Sequence, residues 1–284
     1  MHNVQFLASS AREVLPGRPA ILGCPLDVTS TYRSGSDIAP NAIRRASDSI
    51  ETYSPFLDMD LEDRPFSDLG DLDIAGQLLD SSLDLMEQAA STIHAKGGRL
   101  LALGGEHTIT LPLVKSLHAS FPDLVLIHAD AHSDLRDEYE GRPINHATVI
   151  KRISEIIGAD RLIQLGIRSG TREEFAWMHE NGTLLTWDAS SAKELAKRVA
   201  GRPVYFTLDL DVLDPSCLHA TGNPEPGGWF YSDMERLFQA LRKMRLIAAD
   251  VVELNPQLDP SQVGTITASK IVRELLLILG TTGI

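Results

Sequence analysis

The feature that most restricts the fold of this chain is a series of short apolar runs that do not alternate with polar residues. They fall at 20–23, 100–103, 124–129, 162–166, 184–187, 204–208 and 246–252 and are rich in Leu, Ile and Val. A strand with one wet face must alternate. A run that does not is buried on both faces, the condition of a parallel sheet covered by helices on either side. Amphipathic stretches between the runs supply those helices. Leu79, Leu83, Met86, Ala90 and Ile93 recur at three- and four-residue steps, and Gly97 follows as a stop. Thr171 with Glu174, and Ser232 with Glu235, have capping-box spacing, and a last helix is expected from about 261 or 264 to 279. The expected fold is α/β, a three-layer α/β/α arrangement with a mostly parallel central sheet. The acidic stretch 58–63 reads as a solvated loop, and no repeat or long linker interrupts the chain. Residues 1–284 are therefore expected to form one domain.

Composition narrows the function classes. With 284 residues, 43% of them hydrophobic and 23% charged, the chain can build a sizeable core and is not of the disordered type. A formal net charge of −13 argues against a nucleic-acid surface and favours small cations or plain solubility. Cys24 and Cys217, the two cysteines, make no disulfide framework and fit a reducing compartment. The first residues lack the basic flank and apolar core of a signal peptide, and the longest apolar runs, such as 275–279, are too short to span a bilayer. A cytoplasmic protein with no membrane or nucleic-acid partner is expected.

The chemistry gathers just past three of the apolar runs. Asp130-Ala131-His132-Ser133-Asp134 follows 124–129, Asp209-Leu210-Asp211 follows 204–208, and Gly104-Gly105-Glu106-His107 follows 100–103. Ligands in open α/β sheets collect at these carboxyl ends. Side chains two apart in an extended segment share a side, so Asp130, His132 and Asp134 can face together, as can Asp209 and Asp211. A single Asp-x-Asp is more often a capped turn. Two such motifs at buried strand ends, with His107 beside them, would repel or lie unsatisfied without a cation. Four carboxylates and two imidazoles can hold two divalent ions, and this thiolate-free set suits Mn²⁺ better than a structural zinc site, with Fe, Co, Ni and Zn as alternatives. Two ions ~4 Å apart that share a water lower its pKa toward ~7. No glycine-rich dinucleotide fingerprint or Walker-type phosphate loop is present, so nucleotide binding is not indicated.

These three motifs, in this order, resemble the metal signatures of the arginase/agmatinase (ureohydrolase) family. Asn223-Pro224-Glu225-Pro226-Gly227-Gly228 and Asp250-Val251-Val252-Glu253-Leu254-Asn255-Pro256 resemble its later motifs. Tyr32-Arg33-Ser34-Gly35, Ala39-Pro40-Asn41-Ala42-Ile43-Arg44 and Asp68-Leu69-Gly70-Asp71 resemble the shorter prokaryotic agmatinases. The resemblance implies an arginase-like fold and hydrolysis of a guanidino compound to urea and an amine. It implies two Mn²⁺ per subunit, one on His107, Asp130, Asp134 and Asp209 and the other on Asp130, His132, Asp209 and Asp211. It implies that Glu253 clamps the guanidinium, that His146 passes a proton to the leaving amine, and that the chain forms a homo-oligomer, a trimer or hexamer.

Three departures from the family pattern bear on the substrate: Glu106 for an Asp, Ala147 after His146, and the run from Asp214 to Asn223 in place of a glycine-rich one. Ala220 restricts that backbone, and His219 and Asn223 are expected to add polar groups near the metal mouth. The loop 135–142 carries three acids against two arginines, so an acidic mouth and a dicationic substrate, agmatine, are expected. An N-substituted agmatine such as aminopropylagmatine, guanidinobutyrate and arginine are the alternatives. The non-enzyme alternative is a metal-binding, non-catalytic homologue, although all six inferred ligands and Glu253 are present.

Overall fold

The computed structural model describes residues 4–188 and 190–281. Among these the strands are β1 (Pro19–Cys24), β2 (Tyr53–Ser54), β3 (Met59–Asp60), β4 (Ser67–Asp71), β5 (Arg99–Gly104), β6 (Val125–Ala129), β7 (Leu162–Leu165), β8 (Pro203–Asp209) and β9 (Arg245–Val252). The helices are α1 (Ala39–Ser47), α2 (Leu79–Ala95), α3 (Thr110–His118), α4 (Val149–Ile157), α5 (Arg172–Asn181), α6 (Ala192–Val199), α7 (Tyr231–Leu241) and α8 (Val263–Leu279). Seven strands form one sheet in the order β4-β1-β5-β9-β8-β6-β7, and every pairing in it is parallel.

Successive residues of a strand point to opposite faces, and both faces here are apolar. Val125, Ile127 and Ala129 of β6 join the core beneath α1, α6, α7 and α8, whereas Leu126 joins the core beneath α2 to α5. This is the expected three-layer α/β/α arrangement. Each fully buried Leu, Ile or Val contributes roughly 1.5–3 kcal/mol, so the wholly buried run 275–279 fastens α8 to the sheet.

Four local expectations are corrected. Residues 184–187 form no strand, only a single bridge from Leu184 to Gln164; their apolar character serves packing, with Trp187 against Trp229 at 6.2 Å. β4 is a strand the apolar pattern did not reveal, because two aspartates and a glycine occupy it. Its pairing is supported by Asp68, which accepts the Phe6 N–H at 2.8 Å and pairs with buried Arg44 at 2.8 Å. The stretch 58–63 is not merely a solvated loop, since β2 and β3 pair there as a hairpin with Leu57, Met59 and Leu61 buried. α7 begins at Tyr231, where the Asp233 carboxylate accepts the Phe230 N–H at 2.9 Å, so Ser232 lies inside the first turn and is no cap. α5 is capped as expected, with Thr171 Oγ1 accepting the Glu174 N–H and Glu174 Oε2 accepting the Thr171 N–H.

Candidate active site

β5, β9, β8 and β6 are neighbours, and their carboxyl ends carry, in that order, His107, Glu253, the Asp209–Asp211 pair and the Asp130–His132–Asp134 set. His107 Nδ1 lies 3.1 Å from Asp130 Oδ2, 3.1 Å from Asp134 Oδ2 and 3.5 Å from Asp209 Oδ2. His132 Nδ1 lies 2.9 Å from Asp211 Oδ2 and 3.7 Å from Asp130 Oδ1. The two oxygens of Asp130 therefore face different imidazoles. Both aspartate motifs are also capped turns: Asp130 Oδ1 accepts the His132 N–H and Asp209 Oδ1 accepts the Asp211 N–H. Asp134 joins the cluster differently from the expected alternation. It sits in the left-handed region at φ 52°, and the chain curls to bring its carboxylate to His107.

The electrostatics call for positive charge. Burial, then repulsion from Asp211 and Asp130, pushes Asp209 well above the ordinary carboxylate range; burial and Asp130 raise Asp211. Burial alone would lower His132, but the Asp211 and Asp130 carboxylates override it and push it up to about 12. Burial is likewise overridden at His107, which its three carboxylates hold well above the ordinary imidazole range.

The residues present fit a metal better than a proton. Thr207 gives its hydroxyl proton to Asp250 at 2.6 Å, so its oxygen accepts the Nε2–H of His107 at 2.9 Å. That leaves Nδ1 facing the carboxylates, a position that a proton fills in the free ring and that an ion would take in its place. This buried atom makes no hydrogen bond among the described residues. Donors about 2.0–2.2 Å from one ion and at right angles stand roughly 3 Å apart, the spacing found around Nδ1. Two groups of ligand atoms converge in this way, His107, His128, Asp130 and Asp134 in one and Asp130, His132 and Asp211 in the other.

A cleft of about 590 Å³ opens above the cluster. Glu253, itself at φ 66°, accepts the His107 N–H through Oε1 at 2.7 Å, and burial pushes its carboxyl up to about 8. His146 also lines the cleft. Its N–H donates to Thr29 Oγ1 at 3.1 Å, and its ring nitrogens lie 3.5 Å from Thr29 Oγ1 and 3.4 Å from Thr31 Oγ1. Thr29 in turn donates to Glu106 Oε1 at 2.6 Å, while Glu106 Oε2 accepts the N–H groups of Val28 and Thr29. Glu106 thus clamps the loop that seats His146.

The mouth differs from the expected acidic one. Asp137, Glu138 and Glu140 are exposed and lie outside the lining, whereas Arg136 and Tyr139 face in, with the guanidinium 4.7 Å from the ring centre. Glu225 and Asn223 line the cleft; His219 is exposed, stands 3.7 Å from Asp259 and does not line it. Arg33 donates to the carbonyls of Thr221 and Gly222 at 2.7 and 3.0 Å, bracing the unusual loop.

Buried carboxylates and imidazoles converging at adjacent strand ends, beneath an open cleft, define a binuclear metal centre on a parallel α/β sheet. The arginase family model matches residues 18–278. The agmatinase of Bacillus subtilis (strain 168) is 40% identical over 281 residues, covering 95% of this chain and 97% of that protein. The agmatinase of Bacillus anthracis is 41% identical over 261 residues, or 90% of each chain. The crystal structure of agmatine ureohydrolase of Thermoplasma volcanium superimposes with a TM-score of 0.85 at 28% identity, covering 99% of this chain and 95% of that one. The chain belongs to the arginase family, and it is a hydrolase of guanidino carbon–nitrogen bonds. No helix among the described residues is long and apolar enough to cross a membrane.

Proposed function

We propose that this chain hydrolyses agmatine to putrescine and urea with two Mn²⁺ ions. The observation that carries the reading is His107 Nδ1, buried without a hydrogen bond and faced by three carboxylates, with Glu253 fastened to the same backbone. The agmatinases to which the chain is similar favour agmatine among guanidino substrates. His107, Asp130, Asp134 and Asp209 would hold one ion and Asp130, His132, Asp209 and Asp211 the other. An oxygen-rich set with two imidazoles favours Mn²⁺. When bound, the ions would supply the charge that acidifies water near neutral pH and offsets the negative charge on the attacking oxygen.

The chain's own residues do the rest. Glu253 accepts N–H groups of the planar guanidinium and sets its carbon above the cluster, the geometry a carboxylate matches best. Its Oε1 is shared with the His107 N–H, which ties substrate position to ligand position. As water oxygen bonds to the guanidinium carbon and the bond from carbon to the alkyl-bearing nitrogen breaks, His146 delivers a proton to that nitrogen. The amine leaves protonated and urea leaves neutral. Asp134, holding its place beside His107, takes a proton from the attacking water and passes it to the departing nitrogen; the water's second proton replaces the one His146 delivers, so that nitrogen gains both. Residues 1–284 are read as one ureohydrolase domain, cytoplasmic and homo-oligomeric, a trimer or hexamer.

Urea release by the full chain with Mn²⁺ tests this against agmatine, arginine, guanidinobutyrate, aminopropylagmatine and formimidoylglutamate. Agmatine should be turned over with the highest kcat/KM. Preference for a carboxylate-bearing guanidine would reassign the substrate, and silence across the set would remove the catalytic reading.

A further inference from the structure

One step below the clustered carboxylates, four polar side chains stand abreast across the sheet. Gln164 of β7 is in register with His128 of β6, His128 with Thr207 of β8, and Thr207 with Asp250 of β9. All four are fully buried. They lie two residues from Leu162, Leu126, Tyr205 and Ala248, and so on the face covered by α2 to α5. Burying such groups unpaired is unfavourable. A polar row in an apolar core therefore persists only when its hydrogen bonds are complete, and here they run toward the cluster.

The half of the row at His128 carries the inference. Thr183 donates to Gln164 Oε1 at 2.8 Å. The Ser133 carbonyl, which can only accept, fixes the amide so that Nε2 faces it at 3.1 Å and lies 3.3 Å from His128 Nδ1. An amide nitrogen only donates, so Nδ1 accepts and the imidazole proton sits on Nε2. Nε2 lies 2.7 Å from Asp130 Oδ2, the oxygen that faces His107. His128 stands within ligand distance of His107, Asp130 and Asp134. With one nitrogen accepting and the other protonated, however, it has no lone pair left for an ion.

We propose that Thr183, Gln164 and His128 form a positioning relay in which His128 is a hydrogen-bond donor to Asp130 and not a metal ligand. The relay holds the one carboxylate that faces both imidazoles in the orientation the two ion positions share. The proposal rests on the binuclear-metal reading and adds three residues that the aspartate and histidine motifs do not contain.

Mn²⁺ affinity of the full chain, measured by chelator competition with the Mn²⁺ content per chain, tests it together with imidazole ¹⁵N NMR of the metal-free wild type. His128→Phe should weaken Mn²⁺ binding by on the order of 10–100-fold, the usual effect of losing a partner of a ligand. His128→Gln, which can place an amide N–H near the Nε2 position, should recover most of that loss. Gln164→Leu should weaken binding in the same direction. The wild-type spectrum should show His128 protonated at Nε2 and bare at Nδ1, a readout that does not depend on any variant folding. Wild-type affinity in His128→Phe, a proton on Nδ1, or His128→Gln losing one ion per chain would overturn the relay. A wild type that binds no Mn²⁺ at all would overturn the metal reading beneath it.

Discussion

Glu253 joins two functions in one carboxylate: Oε1 takes the His107 N–H, and the group lines the cleft. Its charged form is the one a guanidinium needs, and burial pushes its carboxyl up to about 8. The proton must leave before the cation is held, so kcat/KM should climb as pH rises toward that value. A flat profile from acid to mildly alkaline pH would count against the clamp. Glu253→Gln removes a charge-assisted hydrogen bond worth about 1.5–3 kcal/mol, which corresponds to a fall in kcat/KM of roughly 10–100-fold with Mn²⁺ content retained. Asp209→Ala should behave differently, losing Mn²⁺ and activity together in metal analysis and urea assay. At this scale the carboxylates and histidines of the three motifs were legible because charged groups past apolar runs have few structural explanations. His128 was not, although its spacing two before Asp130 was the available signal. A single histidine inside an apolar strand carries no mark of its partner until Gln164 is brought beside it from 36 positions along the chain.

Among the elements, the turn after β5 is held by contact and not by propensity. A Cβ on Gly105 would stand 1.8 Å from the Leu26 carbonyl oxygen, and the Glu106 N–H donates to that same oxygen at 2.8 Å. Backbone cannot yield as a side-chain tip can. Gly105→Ala should therefore cost about 1–3 kcal/mol, a fall of about 2–4 °C in Tm per kcal/mol for a chain of this size. Because Glu106 and His107 follow directly, Mn²⁺ content should fall as well; an unchanged melting curve with full metal would show that the turn is slack. Element boundaries were read well where both faces of a strand are apolar, as in β5, β6, β8 and β9. They were misread where composition and role diverge. β4 is polar yet paired, and 184–187 is apolar yet unpaired beyond one bridge, because packing against Trp229 selects the same residue types as a strand does.

For the whole molecule, the cluster is a place where the fold concentrates unfavourable charge, so ions should stabilise it. An ion that binds only the folded chain adds about 2.7 kcal/mol at one hundred times its Kd; Mn²⁺ should raise Tm and a chelator should lower it. The pH sign follows from the imidazoles. The carboxylates push His132 up to about 12 and His107 well above its ordinary range, so both carry protons that an ion must displace. Mn²⁺ affinity should weaken as pH falls, with proton release visible by calorimetry in buffers of different ionisation enthalpy. No Tm response to Mn²⁺ at any pH would argue against a centre in this cleft. The sequence by itself determined the layer architecture and which carboxylates and imidazoles stand past the strand ends, since unalternating apolar runs must be buried on both sides and charged groups rarely gather there without a partner. Only the tertiary structure decided which strands are neighbours. Chain order β5, β6, β8, β9 becomes spatial order β5-β9-β8-β6, and that exchange brings Thr207 to His107, Gln164 to His128 and Glu253 to the cluster. Contacts between residues tens or hundreds of positions apart depend on how strands are ordered in space, and no local pattern of residues encodes that order.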